Sequence, residues 1–374
     1  MLLTYPLMAA VQLVSAHIGR VTGVGLAKNL MLVFPRWIVS LLITILFVAN
    51  IFNIGADLSA MAAAAQLVVG GSSHVYVILF GFICTALQLF VSYSRYTQLL
   101  KWLTLSLFAY VGVILLVHID WPQALLGMVW PREFGAEALL TIVAVFGTTI
   151  SPYLFFWQSS QEAEEIATSK QKPLKDSPQA VSRQYRRIRI DTLLGMALSN
   201  LIALAIMLAT AATLHTRGVG MIGSAAEAAE ALRPVAGPFA FLLFALGIIG
   251  TGFLAVPVLA GSAAFAVGET HGWKTGLEYK PLEAVRFYGI IVLATFIGVA
   301  LDWSNMNPIR ALFWSAVLNG LAAVPIMAAM MLVASSRAIM GHLRERWILL
   351  TFGWAATAVM AVASAAMLVT SFTG

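Results

Sequence analysis

The amino-acid sequence predicts an all-α polytopic membrane protein, and three observations support this fold class. Only 10% of the 374 residues are charged, whereas a soluble domain carries about 25%. Apolar stretches of roughly 20 residues, the length that a helix needs to cross a bilayer, recur along the whole chain. Lys and Arg are concentrated in alternate loops between these stretches. So few charges cannot cover a surface that faces water, but they suit a surface that faces lipid.

The apolar stretches divide the chain into ten predicted membrane-spanning helices. Each stretch is continuously apolar rather than alternating, and a bilayer admits only helices or closed barrels, so strands are not expected. The predicted spans are 1–18, 33–69, 75–94, 98–118, 138–157, 190–214, 236–268, 287–303, 309–335 and 346–370. They leave no room for a separate soluble domain, so residues 1–374 are expected to form a single transmembrane domain.

The distribution of basic residues predicts the orientation of these spans. The loops after spans 1, 3, 5, 7 and 9 hold 18 of the 22 Lys and Arg residues. The positive-inside rule places these loops in the cytoplasm, which predicts a multi-pass protein of a bacterial inner membrane. Span 1 then runs from outside to inside, and this favours a further helix upstream of Met1.

Several other classes of protein or site are not supported. The single Cys84 excludes an intramolecular disulfide and a cysteine-based metal cage. The net charge of +6 reflects membrane topology, so no nucleic-acid partner is expected. The acidic segment 161–165 and the basic stretch that follows it suggest a solvated cytoplasmic loop. No pair of histidines has chelating spacing, so a histidine metal site is not predicted.

The most informative segment is the end of span 5, Phe146–Gln158. Pro152 has no N–H and disfavours helical geometry at Ser151, and Gly147 weakens the helix further. The pattern predicts a broken helix near the middle of the membrane, with free carbonyls around Thr148 and Thr149. Unwound carbonyls and the C-terminus of a half-helix attract a cation. An ordinary proline kink is the alternative.

Polar residues inside other spans are further candidates. Asp57 is a carboxylate within span 2, and such groups usually mark a proton or ion path, although a tilted helix could leave it near the outer interface. Asn319 in span 9 could donate an oxygen to a cation, but interhelical hydrogen bonding is the more usual role of an isolated amide. Asn50 and Asn53 have the same two interpretations.

Three segments resemble the bacterial branch of the Nramp divalent-metal transporters: Tyr5–Gln12, Asn53–Leu58 and Gly147–Gln158. The resemblance covers essentially the whole chain. It implies a LeuT-like fold, with two inverted repeats of five helices and a cation site where the first helix of each repeat is broken. Residues 1–118 would then be an incomplete first repeat, 138–335 the second repeat and 346–370 an extra helix. The resemblance also implies that the family's first helix, with its aspartate ligand, is missing.

The sequence also departs from the family pattern. Ser151-Pro152-Tyr153 replaces methionine-proline-histidine at the helix break, so a soft thioether ligand gives way to oxygen donors, which favour harder ions. The histidine that is linked to proton movement is absent. Asp57 matches an acidic residue on the family's proton path, whereas Ala316 stands where a metal-binding glutamine is expected, which leaves Asn319 as a substitute.

The resulting hypothesis is a secondary-active transporter of divalent cations such as Mn²⁺, Fe²⁺ or Mg²⁺, coupled to protons. Thr148, Ser151 and Asn319 are the expected metal ligands, Asp57 the proton relay, and Gly147, Pro152 and Tyr153 the helix break. The metal is cargo; no enzymatic activity and no cofactor are expected. A monomer in a lipid bilayer is the expected assembly. The alternatives are a sodium-coupled organic-solute symporter of the same fold and a truncated membrane protein without transport activity.

Overall fold

The computed structural model describes residues 4–91, 105–119, 135–214, 222–304 and 306–373, together with residues 102, 121, 122 and 124. These residues form a helical protein in which eight helices are long and apolar enough to cross a membrane. The helices are α1 (Thr4–Thr22), α2 (Leu26–Leu30), α3 (Arg36–Val69), α4 (Ser73–Phe90), α5 (Ala109–Leu116), α6 (Ala136–Thr149), α7 (Pro152–Thr168), α8 (Val181–Thr213), α9 (Ala225–Glu230), α10 (Arg233–Ala236), α11 (Ala240–Thr270), α12 (Val285–Ala300), α13 (Pro308–Ser335), α14 (Arg337–Met340) and α15 (Trp347–Thr373). Short 3₁₀ helices occur at Leu105–Phe108, Leu174–Asp176, Pro178–Ala180, Gly237–Phe239, Leu301–Ser304 and Gly341–Leu343.

Eight of the ten predicted spans correspond to these eight membrane-length helices. The first predicted span forms helix α1, but buried polar residues such as Gln12, His17 and Arg20 make it less apolar than the others. Of the fourth predicted span, 98–118, the structure describes mainly the shorter apolar helix Leu105–Leu116, and residues 98–101 lie outside the described part of the chain.

Two groups of helices can be distinguished by their contacts. In the first group α3 packs against α4, α11, α12 and α13. In the second group α1 packs against α7, α8 and α15. Helix α13 contacts both groups because it also packs against α6 and α15. Ile150, where α6 and α7 meet, belongs to an apolar core that α1, α3, α13 and α15 share.

The loops that carry most of the basic residues gather at one end of the molecule. There the 3₁₀ helix Leu174–Asp176 contacts both α1 and the segment Gly341–Leu343. We call this the basic-loop end. It is the end that the positive-inside rule assigns to the cytoplasm.

Candidate functional site

The chain leaves helical geometry between α6 and α7. Helix α6 ends at Thr149, where the Ile150 N–H donates to the Phe146 carbonyl at 2.7 Å. Ile150 (φ −119°, ψ 64°) and Ser151 (φ −85°, ψ 132°) are not helical, and α7 begins at Pro152. A proline is well tolerated at the first position of a helix and favours extended backbone in the residue before it. Pro152 therefore starts a new helix and holds Ser151 outside it.

This geometry corrects the expected position of the break. Gly147 still belongs to the last turn of α6, and Tyr153 lies in the first turn of α7, so neither residue is itself unwound. The Ser151 hydroxyl donates to the Gly147 carbonyl at 2.5 Å and to the Thr148 carbonyl at 3.3 Å. It thereby takes the place of the N–H that Pro152 lacks. The carbonyls at Gly147 and Thr148 are therefore hydrogen-bonded, whereas the sequence predicts free carbonyls around Thr148 and Thr149. Each carbonyl oxygen keeps a second lone pair for another partner.

Gly147 has a packing role. A Cβ atom at this position would overlap the carbonyl oxygen of Ala316 on α13. The absence of a side chain thus lets the backbones of α6 and α13 approach each other directly, immediately before the interruption. The glycine was expected to weaken the helix, but in the structure it brings α13 close to the break.

Thr148 and Ser151 face different surroundings. Ser151 is 1% exposed, whereas the side chain of Thr148 is exposed and its hydroxyl donates to the Val145 carbonyl at 2.9 Å. Of the two predicted hydroxyl ligands, only Ser151 is therefore enclosed by the protein. Their roles in metal binding stay predictions.

Asn319 on α13 is held by an amide pair. Its side chain is 2% exposed and exchanges two hydrogen bonds of 3.0 Å with the side chain of Asn53 on α3. Each amide group donates to the other, as in a cyclic amide dimer. The structure therefore brings Asn319 to α3. Its amide oxygen accepts one hydrogen bond from Asn53 and keeps a second lone pair for another partner.

Asp57 lies on α3 and is half-buried. Its carboxylate is within electrostatic range of the Tyr153 phenol on α7 and of the Cys84 thiol on α4. The Tyr153 hydroxyl in turn interacts with the Ser151 side chain. Asp57 thus interacts electrostatically with the first turn of α7, beside the interruption. Asn50, one turn from Asn53, instead donates to the Leu259 carbonyl at 2.9 Å and to the Ser262 hydroxyl at 2.8 Å, and so fastens α3 to α11.

Two polar residues of α1 that the sequence interpretation did not select hold the first turn of α7. The Gln12 amide donates to the Leu154 carbonyl at 3.4 Å and to the Gln158 side chain at 3.3 Å. The Ser15 hydroxyl donates to the Phe155 carbonyl. Gln12 and Ser15 lie three residues apart on α1, so they share one face, and this spacing is the signal that could have identified them.

The acidic segment 161–165 is part of α7, so the interpretation as a solvated loop is wrong. Glu162 is 7% exposed and accepts from Arg187 of α8 at 2.7 Å. Arg20 of α1 is 1% exposed and lies 3.7 Å from Glu162 and 3.5 Å from Glu165. Arg187 also pairs with Glu165 at 2.7 Å. The four side chains, which we call the buried ion network, join α1, α7 and α8 at the basic-loop end.

The interruption is surrounded by neutral oxygen donors and one carboxylate, Asp57. Within the described part of the chain, no three His, Cys, Asp or Glu side chains come together as metal ligands. A cation held here would therefore bind hydroxyl, amide and carbonyl oxygens, which suit hard divalent ions better than soft ones.

Comparison with known proteins agrees with this architecture. Residues 1–370 match the family model of the Nramp family, described as natural resistance-associated macrophage protein-like. A divalent metal cation transporter of Acidiphilium cryptum is 26% identical over 349 residues, which cover 89% of this chain and 74% of that protein. A divalent metal cation transporter of Klebsiella pneumoniae is 24% identical over 375 residues, which cover 97% and 84% of the two chains.

Solved structures show the same fold. The manganese transporter of Eremococcus coleocola superimposes with a TM-score of 0.75 at 16% identity, covering 97% of this chain and 78% of that one. Mhp1, a nucleobase-cation-symport-1 family transporter, superimposes with a TM-score of 0.56 at 15% identity, covering 99% and 85% of the two chains. The family match, the eight membrane-length helices and the interruption between α6 and α7 lead to one conclusion: this chain is a multi-pass membrane protein with a LeuT-like fold and belongs to the Nramp family.

Proposed function

We propose that this protein is a secondary-active transporter that carries divalent metal cations across the bacterial inner membrane together with protons. The observation that carries the proposal is the interruption at Ile150 and Ser151, which lies inside a membrane-length stretch and is buried in the protein. Relatives that cover most of this chain are named divalent metal cation transporters, and the basic-loop end gives the orientation of an inner-membrane protein.

Ser151 is the central ligand in this proposal because it is enclosed and lies at the interruption itself. When a cation arrives, the Ser151 oxygen and the second lone pairs of the Gly147 and Thr148 carbonyls can turn toward it. The amide oxygen of Asn319 can join them through its second lone pair, while the first accepts from Asn53. All of these donors are oxygens, so the proposed cargo is a hard dication such as Mn²⁺ or Mg²⁺.

Replacing Ser151 tests the ligand assignment. Ser151→Met introduces a thioether, so cadmium uptake into proteoliposomes should rise relative to manganese or magnesium uptake. Ser335→Met is the matched control, since the Ser335 hydroxyl also donates to a carbonyl four residues earlier, that of Met331, but lies at the far end of α13. An unchanged metal preference in Ser151→Met, alongside an active control, would refute Ser151 as a ligand.

Asp57 and Tyr153 form the proposed proton relay between α3 and the interruption. Asp57→Asn removes the ionisable group with little change in shape, so uptake should be slower and less dependent on pH, while metal binding stays measurable by calorimetry. Asn50→Asp is the control and is combined with Asp57→Asn. Because Asn50 is hydrogen-bonded to α11, a carboxylate at this position should not restore the pH dependence. If Asp57→Asn keeps the pH dependence of the unmodified protein, the relay is excluded.

A cation-coupled symporter of an organic solute is the second candidate, and the likeness to Mhp1 favours it. Mhp1 has a lower TM-score than the manganese transporter of Eremococcus coleocola, and the chain matches the Nramp family model. Both findings argue for a metal cargo instead. The same proteoliposomes separate the two functions: sodium-driven uptake of amino acids or nucleobases, without uptake of any divalent metal, would replace the metal proposal.

A further inference from the structure

A cavity of about 370 Å³ lies at the basic-loop end, between α7, the C-terminal end of α11 and the turn that joins α1 to α2. Three carboxylates, Glu164, Glu269 and Glu278, line it together with Lys28. The cavity is separate from the buried ion network, whose Arg20 and Arg187 do not line it. Two of the carboxylates fasten its walls to each other.

Glu269 reaches from α11 to the other wall. One of its carboxylate oxygens accepts from the Ser160 hydroxyl of α7 at 2.6 Å. The other accepts from the backbone N–H of Lys28, in the first turn of α2, at 3.4 Å. A Cβ atom on Gly25 would overlap this carboxylate, so a residue without a side chain is required where Glu269 meets the start of α2. The carboxylate thus links α11 to α7 and to the start of α2.

Glu164 makes the opposite connection. It belongs to α7, and its carboxylate accepts from the backbone N–H of Glu278 at 3.0 Å, in the segment after α11. The Gln161 amide also donates to Glu164, at 3.3 Å, within α7 itself. Each wall therefore contributes one carboxylate that binds a donor of the other wall. Both hydrogen bonds therefore hold the two walls together.

Helix α7 is suited to move relative to α11. Its N-terminus is attached to α6 only through the non-helical residues Ile150 and Ser151. The buried ion network ties it to α1 and α8, so these three helices would move as one unit. A tilt of that unit about the interruption would separate Ser160 from Glu269 and Glu164 from Glu278.

We infer that Glu269 with Ser160, and Glu164 with the backbone of Glu278, form a reciprocal carboxylate latch that keeps the cytoplasmic side of the protein closed until α7 swings away from α11. The latch controls access to the cavity and does not depend on which solute is carried. Opening it frees two carboxylates at the cavity wall.

Cysteine labelling of the cavity tests the latch. The single native cysteine, Cys84, is buried, so Cys84→Ala with Ala163→Cys places one thiol in the cavity lining on α7. The rate of its modification by a membrane-impermeant maleimide is measured in inside-out vesicles. Ser160→Ala and Glu164→Ala should each increase that rate several-fold, up to roughly tenfold, which is the factor that one hydrogen bond contributes to an equilibrium. The double variant should increase it further.

Ser159→Ala is the matched control. Ser159 is adjacent on the same helix and fully buried, and no hydrogen bond of its hydroxyl is found among the described residues. Its labelling rate should equal that of the parent. Equal rates in the parent, Ser160→Ala and Glu164→Ala would overturn the latch, as would an equally large increase in Ser159→Ala, because general loosening would then explain the labelling. Thermal unfolding in detergent identifies any variant that fails to fold. The labelling rate of the other single variant then tests the latch. Labelling needs no cargo, so its outcome is independent of the metal-uptake assays.

Discussion

The middle of the molecule and its basic-loop end both bury polar side chains, but they satisfy them in different ways. At the interruption, Ser151 is 1% exposed and bonds to carbonyls of its own chain only a few residues away. At the basic-loop end, Arg20 is equally enclosed and pairs with carboxylates of α7, more than a hundred residues later in the sequence. Neutral local bonds can be exchanged one at a time, whereas a buried charge depends on every partner.

The difference suggests a division of labour. Neutral dipoles around Ser151 can reorient toward a cation at modest cost, as a transport site requires. The buried ion network instead holds α1, α7 and α8 in one arrangement, because removing Arg20 or Glu162, its two most buried members, leaves a buried charge with less compensation. Exchangeable hydrogen bonds are thus found at the interruption, and interdependent ion pairs at the basic-loop end.

Arg20→Ala should give the largest effect on stability. It leaves Glu162 buried with only Arg187 as a counter-charge, so the free energy of unfolding should fall by about 3–5 kcal/mol. Thermal unfolding in detergent measures the change. Arg233→Ala is the control, because Arg233 pairs with Glu230 at 2.8 Å on the exposed surface. That loss should stay below about 1 kcal/mol. Equal losses of stability in the two variants would contradict the stabilising role of the buried ion network.

Gly147→Ala should have the next largest effect. Its Cβ would overlap the Ala316 carbonyl and push α6 away from α13, which should cost about 1–3 kcal/mol and slow uptake. Gly195→Ala, on α8, is the matched control, since no atom lies within 4 Å of its added Cβ. There the better helix propensity of alanine should make the variant neutral or slightly more stable. If Gly147→Ala has the same stability and uptake as Gly195→Ala, the close approach of α6 and α13 contributes to neither property.

The Asn53–Asn319 pair should give the smallest and most specific effect. Because the two amides satisfy each other, a double-mutant cycle with Asn53→Ala and Asn319→Ala should show a coupling of about 0.5–3 kcal/mol in stability. Metal affinity then separates the two roles of Asn319. A ligand role predicts weaker binding in Asn319→Ala but not in Asn53→Ala, whereas a packing role predicts the same change in both.

Much of the fold could be predicted from the sequence because lipid imposes strong rules. Continuous apolar stretches must be helices, and Pro152 must end one helix or begin another. The position of the break was predicted less well. Gly147, Pro152 and Tyr153 were expected to form the break, but only Ile150 and Ser151 leave helical geometry. Pro152 starts α7, and the Ser151 hydroxyl replaces its missing N–H. The sequence predicts where the helix is interrupted, whereas the hydrogen bond of the Ser151 hydroxyl, visible only in the structure, satisfies the carbonyls beside the interruption.

The division of residues 1–118, 138–335 and 346–370 into repeats and an extra helix stays a prediction, as do the metal-binding roles of Thr148, Ser151 and Asn319. Pairing across the chain was beyond sequence reasoning. Asn319 was read as a ligand or as interhelical glue, and only the structure shows that its partner is Asn53. Residues 161–165 were read as solvated because charges usually are, whereas Arg20 and Arg187 enclose Glu162.

The sequence by itself determined that this protein is helical, spans a membrane several times and interrupts one helix at Pro152, because these features follow from the cost of exposing charge and backbone to lipid. Only the tertiary structure decided which buried polar groups meet. Hydrogen bonds and ion pairs depend on distances between helices that are far apart in sequence, and no local pattern encodes those distances.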